Sequence, residues 1–344
     1  MQPEIKEVTC PNCSSRQTKK HGTKKKKLQT LQRYFCNNCR KTFTLQQDKS
    51  KTYPLKIILN ALSYYNLGHS QIEAASMLSK RFKLKPSQKT ISNWLNEYKE
   101  ICTFSRLRSE AIKLYKPNNI IHKQTLIHIQ PYPFKWHKAK LDILTKENPQ
   151  FSAIKNYIEK INSRQFPHHI FTYNKEENQN GQRASQLKFN HLNIKIINKT
   201  NQSNELTKLA LILAKSNNSR HQAIQDFMLI NDSTTIAVEV PAYLTNWDAG
   251  YYRNQKGFTL PLHNYTTPIT GHIDILQIRN GLIHILDYKP DAEKTNAIEQ
   301  LTIYALALSR KVNLPLYYFK CAWFDEDYYF EFFPLHAVYE KRKV

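Results

Sequence analysis

The stretch Thr270-Gly271-His272-Ile273-Asp274-Ile275-Leu276-Gln277-Ile278-Arg279-Asn280-Gly281-Leu282-Ile283-His284-Ile285-Leu286-Asp287-Tyr288-Lys289-Pro290 decides how the C-terminal part of this chain folds. Apolar residues flank both aspartates, so each carboxylate ends or interrupts a buried strand. Asn280-Gly281, set between the two apolar runs, is a strong hairpin signal. A tight hairpin brings Asp274 and Asp287 side by side. Two close carboxylates repel unless a cation lies between them, so the pair predicts a metal site. Lys289 follows Asp287 by two positions, and strand side chains alternate, so its ammonium is aimed from the same face at whatever the metal holds.

Working outward, a helix is predicted over 204–229, containing His221 and Gln225. A strand follows, Thr234 to Pro241, containing Glu239. Beyond the hairpin a helix carries Gln300 and Tyr304 one turn apart on one face, and a last strand spans Leu316 to Trp323. The order helix, strand, hairpin, helix, strand describes an α/β domain over 203–344. In it Asp274 and Asp287 would hold Mg²⁺ or Mn²⁺, with the Tyr288 carbonyl as a candidate third ligand. Such a metal polarises a phosphate and acidifies a bound water. Lys289 would orient that water or stabilise developing charge.

His221, Glu239-Val240-Pro241, Gly271 to Asp274, Asp287-Tyr288-Lys289 and Gln300 to Tyr304, taken in this order, resemble the PD-(D/E)XK nuclease superfamily, in particular its RecB-like branch. The resemblance implies a restriction-endonuclease-like mixed sheet flanked by helices. It implies that His221 completes the magnesium shell and that Gln300 and Tyr304 contact the DNA backbone or brace the site. Glu239 is either a catalytic participant or a structural strand residue. Some members of the branch carry a cysteine-bound iron–sulfur cluster. Here only Cys321 lies in the region, so none is expected.

At the other end of the chain, residues 1–50 hold Cys10-Pro11-Asn12-Cys13 and Cys36-Asn37-Asn38-Cys39. Each C-x2-C knuckle puts two thiolates on one tight turn, and two knuckles complete a tetrahedral Zn²⁺ site. The gap between them exceeds the usual spacing of about 15–20 residues, and a β-hairpin fills it. So short a segment has little core, and the metal would supply much of its folding energy. Gln32-Arg33-Tyr34-Phe35-Cys36 followed by Lys41-Thr42-Phe43-Thr44 resembles the zinc ribbon of insertion-sequence transposases. Lys24, Lys25, Lys26, Lys27 and Arg33 are the candidate DNA contacts of this ribbon.

Residues 51–100 show helical periodicity at Leu55, Ile58, Leu59, Leu62 and Tyr65. Ser70 and Ser87 are candidate caps for a second and a third helix. This is a predicted helix-turn-helix whose last helix would offer Gln88, Lys89, Ser92, Asn93 and Asn96 to the major groove. Thr90-Ile91-Ser92-Asn93-Trp94 resembles the matching segment of the same transposases. An ordinary three-helix bundle is the alternative. Residues 101–202 read as a mixed connecting region without an assigned role. Its run Gln130-Pro131-Tyr132-Pro133-Phe134-Lys135-Trp136-His137-Lys138 is aromatic and basic, a pattern that could stack bases and meet phosphates. Asn174 to Gln182 reads as a linker or exposed loop.

Composition sets the frame for these parts. A chain of 344 residues has room for two or three domains. A net charge of +24 points to a polyanionic partner, most often nucleic acid. Seven glycines leave no Gly-rich phosphate loop. No apolar run reaches the roughly 18 residues of a membrane span, and no signal peptide opens the sequence, so no membrane partner is expected. Paired cysteines without a secretory context fit a reducing, cytoplasmic, nucleoid-associated setting. The expectation is a multidomain, metal-dependent DNA endonuclease targeted by its ribbon and helices, from a mobile element or a prokaryotic defence system. Cutting a duplex would call for a homodimer or sequential nicking. The alternatives are a transposase-like or regulatory DNA-binding protein without nuclease activity, and an RNA-processing protein.

Overall fold

The structure is a computed structural model that describes residues 8–25, 28, 30–44, 51–172, 183–189, 192, 194–258 and 268–339. Lys26, Lys27 and the stretch Asn174 to Gln182 lie outside the described residues. The chain forms two compact units, one of Met1–Leu62 with Gln71–Trp94 and the other of Ser63–Ser70 with Leu95–Val344.

The first unit opens with a small antiparallel sheet of β1 (Thr18–Lys25), β2 (Thr30–Cys36) and β3 (Thr42–Phe43). Its core is slight. Cys10, Cys36 and Phe43 are buried, with Val8 and Tyr34 against them. The helices are α1 (Leu55–Asn66), α2 (Gln71–Phe82) and α3 (Gln88–Tyr98), of which α1 and α3 begin in this unit and end in the other. Ser87 Oγ accepts a hydrogen bond from the Thr90 amide at 3.1 Å, the N-cap expected from the sequence.

The second unit is built on one eight-stranded sheet. Along the chain come α4 (Arg108–Leu114), β4 (Ile121–His128), β5 (Gln130–His137), α5 (Lys138–Glu147), α6 (Ser152–Lys160) and β6 (Ile197–Asn198). Then follow α7 (Gln202–Leu213), α8 (Arg220–Asn231), β7 (Thr235–Leu244), α9 (Asn246–Lys256), β8 (Ile269–Arg279) and β9 (Leu282–Tyr288). The chain closes with α10 (Ile298–Val312), β10 (Phe319–Phe324), β11 (Tyr329–Phe332) and α11 (Pro334–Val338). The strand order is β4-β5-β7-β8-β9-β10-β11-β6. β9 and β10 run parallel, joined by the α10 crossover, and the other pairs of named strands are antiparallel.

Alternation in β9 divides the two faces of this sheet. Ile283 and Ile285 share a core with Leu301, Ile303 and Leu308 of α10. Tyr288, which by alternation points to the opposite face, meets the His221 ring of α8 at 4.9 Å. Two expectations need correction. The single helix over 204–229 is two helices, interrupted where Ser219 Oγ accepts from the amides of Lys215 and Ser216. The region 101–202 also supplies β4, β5 and β6 to the sheet, with Lys135 and Trp136 of β5 paired to Val238 and Ala237.

The hairpin turn matches its sequence signal. Asn280 has φ 52° and Gly281 φ 69°, the left-handed values that a two-residue turn of this twist requires. Replacing Gly281 by valine should cost about 1–2 kcal/mol, read as a lower urea midpoint at unchanged slope. An unshifted midpoint would remove the turn as a determinant of register.

Candidate functional site: a buried carboxylate pair and a four-cysteine cluster

Flanking pairs in the sheet set three acids in one row. Ile275 pairs with Leu286, one step from Asp274 and Asp287. Val238 and Val240 pair with Ile275 and Ile273, which brackets Glu239 opposite Asp274. The Asp274 and Asp287 carboxyl groups are close enough for each to act on the other's titration. Asp274 Oδ2 also accepts from the Tyr288 amide at 3.2 Å and lies 3.5 Å from His221 Nδ1. The Lys289 ammonium stands 2.7 Å from Asp287 Oδ2. Among the described residues no donor meets that buried oxygen in hydrogen-bond geometry, so its contact with Lys289 is an ion pair.

Electrostatics separates the three acids. Burial, then the charge of Asp274, pushes Asp287 well above the usual carboxylate range, against the pull of Lys289. Burial works the same way on Asp274, but His221, Asp287 and Lys289 together hold it below that range. Burial and Asp274 raise Glu239 to about 7, although Gln225, His221 and Lys135 act in the other direction. Glu239 Oε1 accepts from Gln225 Nε2 at 2.7 Å. Its backbone is in the left-handed region at φ 53°, inside a strand. Such an outlier costs on the order of 1–3 kcal/mol and is held by its surroundings.

A second layer fixes the lysine. Lys289 Nζ donates to Gln300 Oε1 at 3.2 Å, and Gln300 Nε2 donates to the Tyr304 hydroxyl at 3.2 Å. Tyr304 lies flat against Gly271. A Cβ at Gly271 would come within 2.5 Å of the ring. The glycine of Gly-x-Ile-Asp is therefore explained by packing, since any side chain there displaces the tyrosine.

All seven candidates at this end of the chain thus gather around one spot. Sequence reading missed the contribution of β5. Lys135 pairs with Asp226 at 2.5 Å and its charge reaches Glu239. Tyr132 stacks on His272 with ring centroids 3.5 Å apart. His128 joins His272 at 2.8 Å and His168 at 2.9 Å in an imidazole chain that is buried at His128 and His272 and half-buried at His168. The aromatic run that suggested base stacking is mostly core, because Phe134 and Trp136 are buried. Its period-two spacing was the available signal.

The four cysteine sulfurs all lie within 4.8 Å of one another, with Cys10–Cys39 and Cys13–Cys36 each at 3.6 Å. Tetrahedral Zn–S bonds of about 2.3 Å would separate the sulfurs by about 3.8 Å, so the cluster can hold a structural metal such as zinc. Burial raises the Cys10 thiol, but donation from the Asn12 and Cys13 backbone overcomes this and brings it to about 6, favouring the thiolate a metal needs. The carboxylate site is looser. Among the described residues the cysteines form the one group of three or more ligand residues drawn this tightly together. Lys24 and Lys25 are exposed on β1, while Arg33 is half-buried with Nε on the His21 carbonyl at 3.4 Å. On α3, Gln88, Lys89, Asn93 and Asn96 are exposed and Ser92 is half-buried. Among the described residues no helix is long and apolar enough to cross a membrane.

Comparison with protein-family models, curated proteins and solved structures gives no match to this chain.

Two measurements check these sites. Cys36→Ser should lose about one equivalent of bound zinc by elemental analysis and open the N-terminal segment to proteolysis; full retention of metal would exclude the cluster. Gly271→Ala should cost about 1–3 kcal/mol by overpacking, and less in a Tyr304→Ala background. Equal costs in the two backgrounds would show that the glycine serves something other than the tyrosine.

Proposed function

We propose that the protein is a metal-dependent nuclease acting on DNA, with the cysteine ribbon and the α1–α3 helices as its targeting elements. The observation that carries this reading is the convergence of Asp274, Asp287 and Lys289 from adjoining strands, beside a crossover helix whose Gln300 grips the lysine. The order of elements and the residues at each position resemble the PD-(D/E)XK superfamily. The ribbon resembles that of insertion-sequence transposases.

The donor set suits a hard divalent cation. A buried carboxylate oxygen without a hydrogen bond, a second carboxylate beside it and a third at Glu239 are oxygen ligands of the type Mg²⁺ or Mn²⁺ takes. Asp274 and Asp287 would hold the ion, with His221 at the rim. When bound, it supplies Lewis-acid polarisation of a phosphate and a more acidic water. Lys289 leaves Asp287 to meet the phosphate, and Gln300 and Tyr304 limit where its ammonium can go. Glu239, raised to about 7, takes up a proton near neutral pH. The exposed polar face of α3 and the lysines of β1 bind the duplex outside the reacting bond.

The test is nicking of supercoiled plasmid with Mg²⁺. Wild type should cut and chelator should stop it. Lys289→Ala should be slower by about 10²–10³-fold, with α3 and ribbon binding intact. Equal cutting by the variant would discard the assigned site. No cutting of any DNA, with binding retained, would favour a regulatory or transposase-like DNA-binding protein. Preferential cutting of structured RNA would move the substrate class.

A pH dependence follows from the acids. Glu239, ordinarily at 4.5, binds its proton more tightly in the folded chain. In metal-free protein its contribution to stability is complete below its ordinary value and is lost as pH rises through about 7. A divalent cation needs the deprotonated acids and reverses the trend. Thermal unfolding at pH 5.5 and 8 should show Mg²⁺ raising Tm more at pH 8, with the difference absent in Asp287→Asn. Equal shifts at both pH values would place the metal elsewhere.

A further inference from the structure

Away from the carboxylates, α9 and the C-terminal end of α10 border a cavity of about 370 Å³. Tyr251, Lys256, Phe258, Arg310, Leu314 and Tyr317 are among its lining residues. The size is at the low end of the roughly 300–1,000 Å³ typical of small-ligand sites, room for a nucleotide-sized group and too little for a duplex. Its floor is a stacked pair, Tyr252 on Phe258, with centroids 5.3 Å apart and rings 8° from parallel. Cations stand over the Tyr251 ring, Arg310 at 4.3 Å and Lys256 at 5.6 Å. One helical turn before Tyr251 on the same face, Trp247 is 89 % exposed, and Tyr317 on the far wall is 55 % exposed.

Single exposed apolar side chains are ordinary on any protein. Here the cavity lining combines the rings of Tyr251, Phe258 and Tyr317 with the cations Lys256 and Arg310, and the local acid is already occupied. Asp248 is buried, caps α9 through Thr245, and is paired with Lys311 at 2.7 Å and Arg310 at 3.5 Å. Arg253 and Lys256 add positive charge on α9. A ligand matched to this surface has flat aromatic groups and a regularly spaced negative charge. α10 links it to the carboxylates, since Arg310 is six residues beyond Tyr304, about 9 Å along the helix.

We infer that this surface binds an unpaired nucleic-acid strand, with bases stacking on Trp247 and Tyr317 and one nucleotide entering the cavity, its phosphate on Lys256 and Arg310. Every base offers a face for stacking, so the surface selects single strands over duplex without selecting sequence. A free nucleotide shares the chemistry of one subsite. Trp247 is exposed one helical turn outside the residues that line the cavity, so a ring is offered beyond a single-nucleotide site, which favours the strand.

The experiment uses full-length protein in chelator, so that binding is read without cleavage. Fluorescence anisotropy compares a labelled single strand of about 12 nucleotides, within the usual site sizes, with a strand of equal length and charge made of abasic residues. Wild type should prefer the strand that carries bases. Trp247→Ala should weaken binding of that strand by roughly 5- to 150-fold, the range for loss of stacking on one base, and leave the abasic strand unchanged. Lys256→Gln should weaken both equally. Light-induced crosslinking from 5-iodouracil in the wild-type complex should fall on Trp247 or Tyr317, which keeps the inference testable if a variant misfolds. An intact base preference in Trp247→Ala would overturn it, as would crosslinks confined to the N-terminal unit. Binding of a nucleoside monophosphate as tight as that of the strand would overturn it too. The inference does not rest on cleavage, so a failed nicking assay leaves it standing.

Discussion

Two carboxylates that cannot both be charged in isolation govern this structure. Asp274 and Asp287 act on each other's titration inside the second unit, and Asp287 is buried. Two unit charges about 4 Å apart interact by roughly 4 kcal/mol at an effective dielectric of 20, a large fraction of a domain's net stability. The protein meets this repulsion by dividing the roles. Asp274 keeps its charge through the Tyr288 amide, the His221 ring and the Lys289 ammonium. Asp287 is driven toward its protonated form. A divalent ion at this place would let both acids ionise.

Holding that pair imposes conditions on its neighbours. Glu239 adopts a left-handed backbone between two ladder pairs of β7, where an L-residue is strained. Gly271 has no room for a Cβ because Tyr304 lies against it, and Tyr304 is there to receive Gln300, which receives Lys289. Each link fixes one degree of freedom of the next. The surrounding strands are buried along most of their length, and they carry His272, Gln277 and His284 as well as the acids among their apolar residues.

How much of this was legible depended on whether the signal was local. The Asn280-Gly281 turn, the Ser87 cap and the cysteine knuckles are short-range features whose chemistry is complete within a few residues, and they could be read directly. The break between α7 and α8 was also written locally, in Ser216-Asn217-Asn218-Ser219, but an apolar periodicity on both sides masked it. It sets His221 in the first turn of α8, where it meets Asp274. The place of β5 was hidden by Pro131 and Pro133, which argue against an interior strand. The structure resolves this by position. β5 pairs with β7 only at Lys135 and Trp136, beyond both prolines, while the proline-bearing half pairs with β4 alone. The convergence of Lys135, Tyr132 and His272 on the acids depends on that long-range pairing and could not be inferred from spacing.

The net charge of +24 takes on meaning when cations are sorted by what they touch. In the second unit many are committed. Lys289 faces Asp287, Lys135 faces Asp226, Lys155 faces Asp142, and Lys199 and Lys320 share Glu331. Lys140 is fully buried and donates to the carbonyls of Leu229, Asp232 and Thr235. These charges cancel locally or serve as caps, and a polyanion gains little from them. Lys19, Lys20, Lys24 and Lys25 on β1 are exposed along one edge of the ribbon, and Lys89 is exposed at the start of α3. These exposed lysines add to those of the second unit, among them Lys123, Lys146, Lys160 and Lys256, and affinity for a charged backbone grows with the number of cations free to replace its counterions.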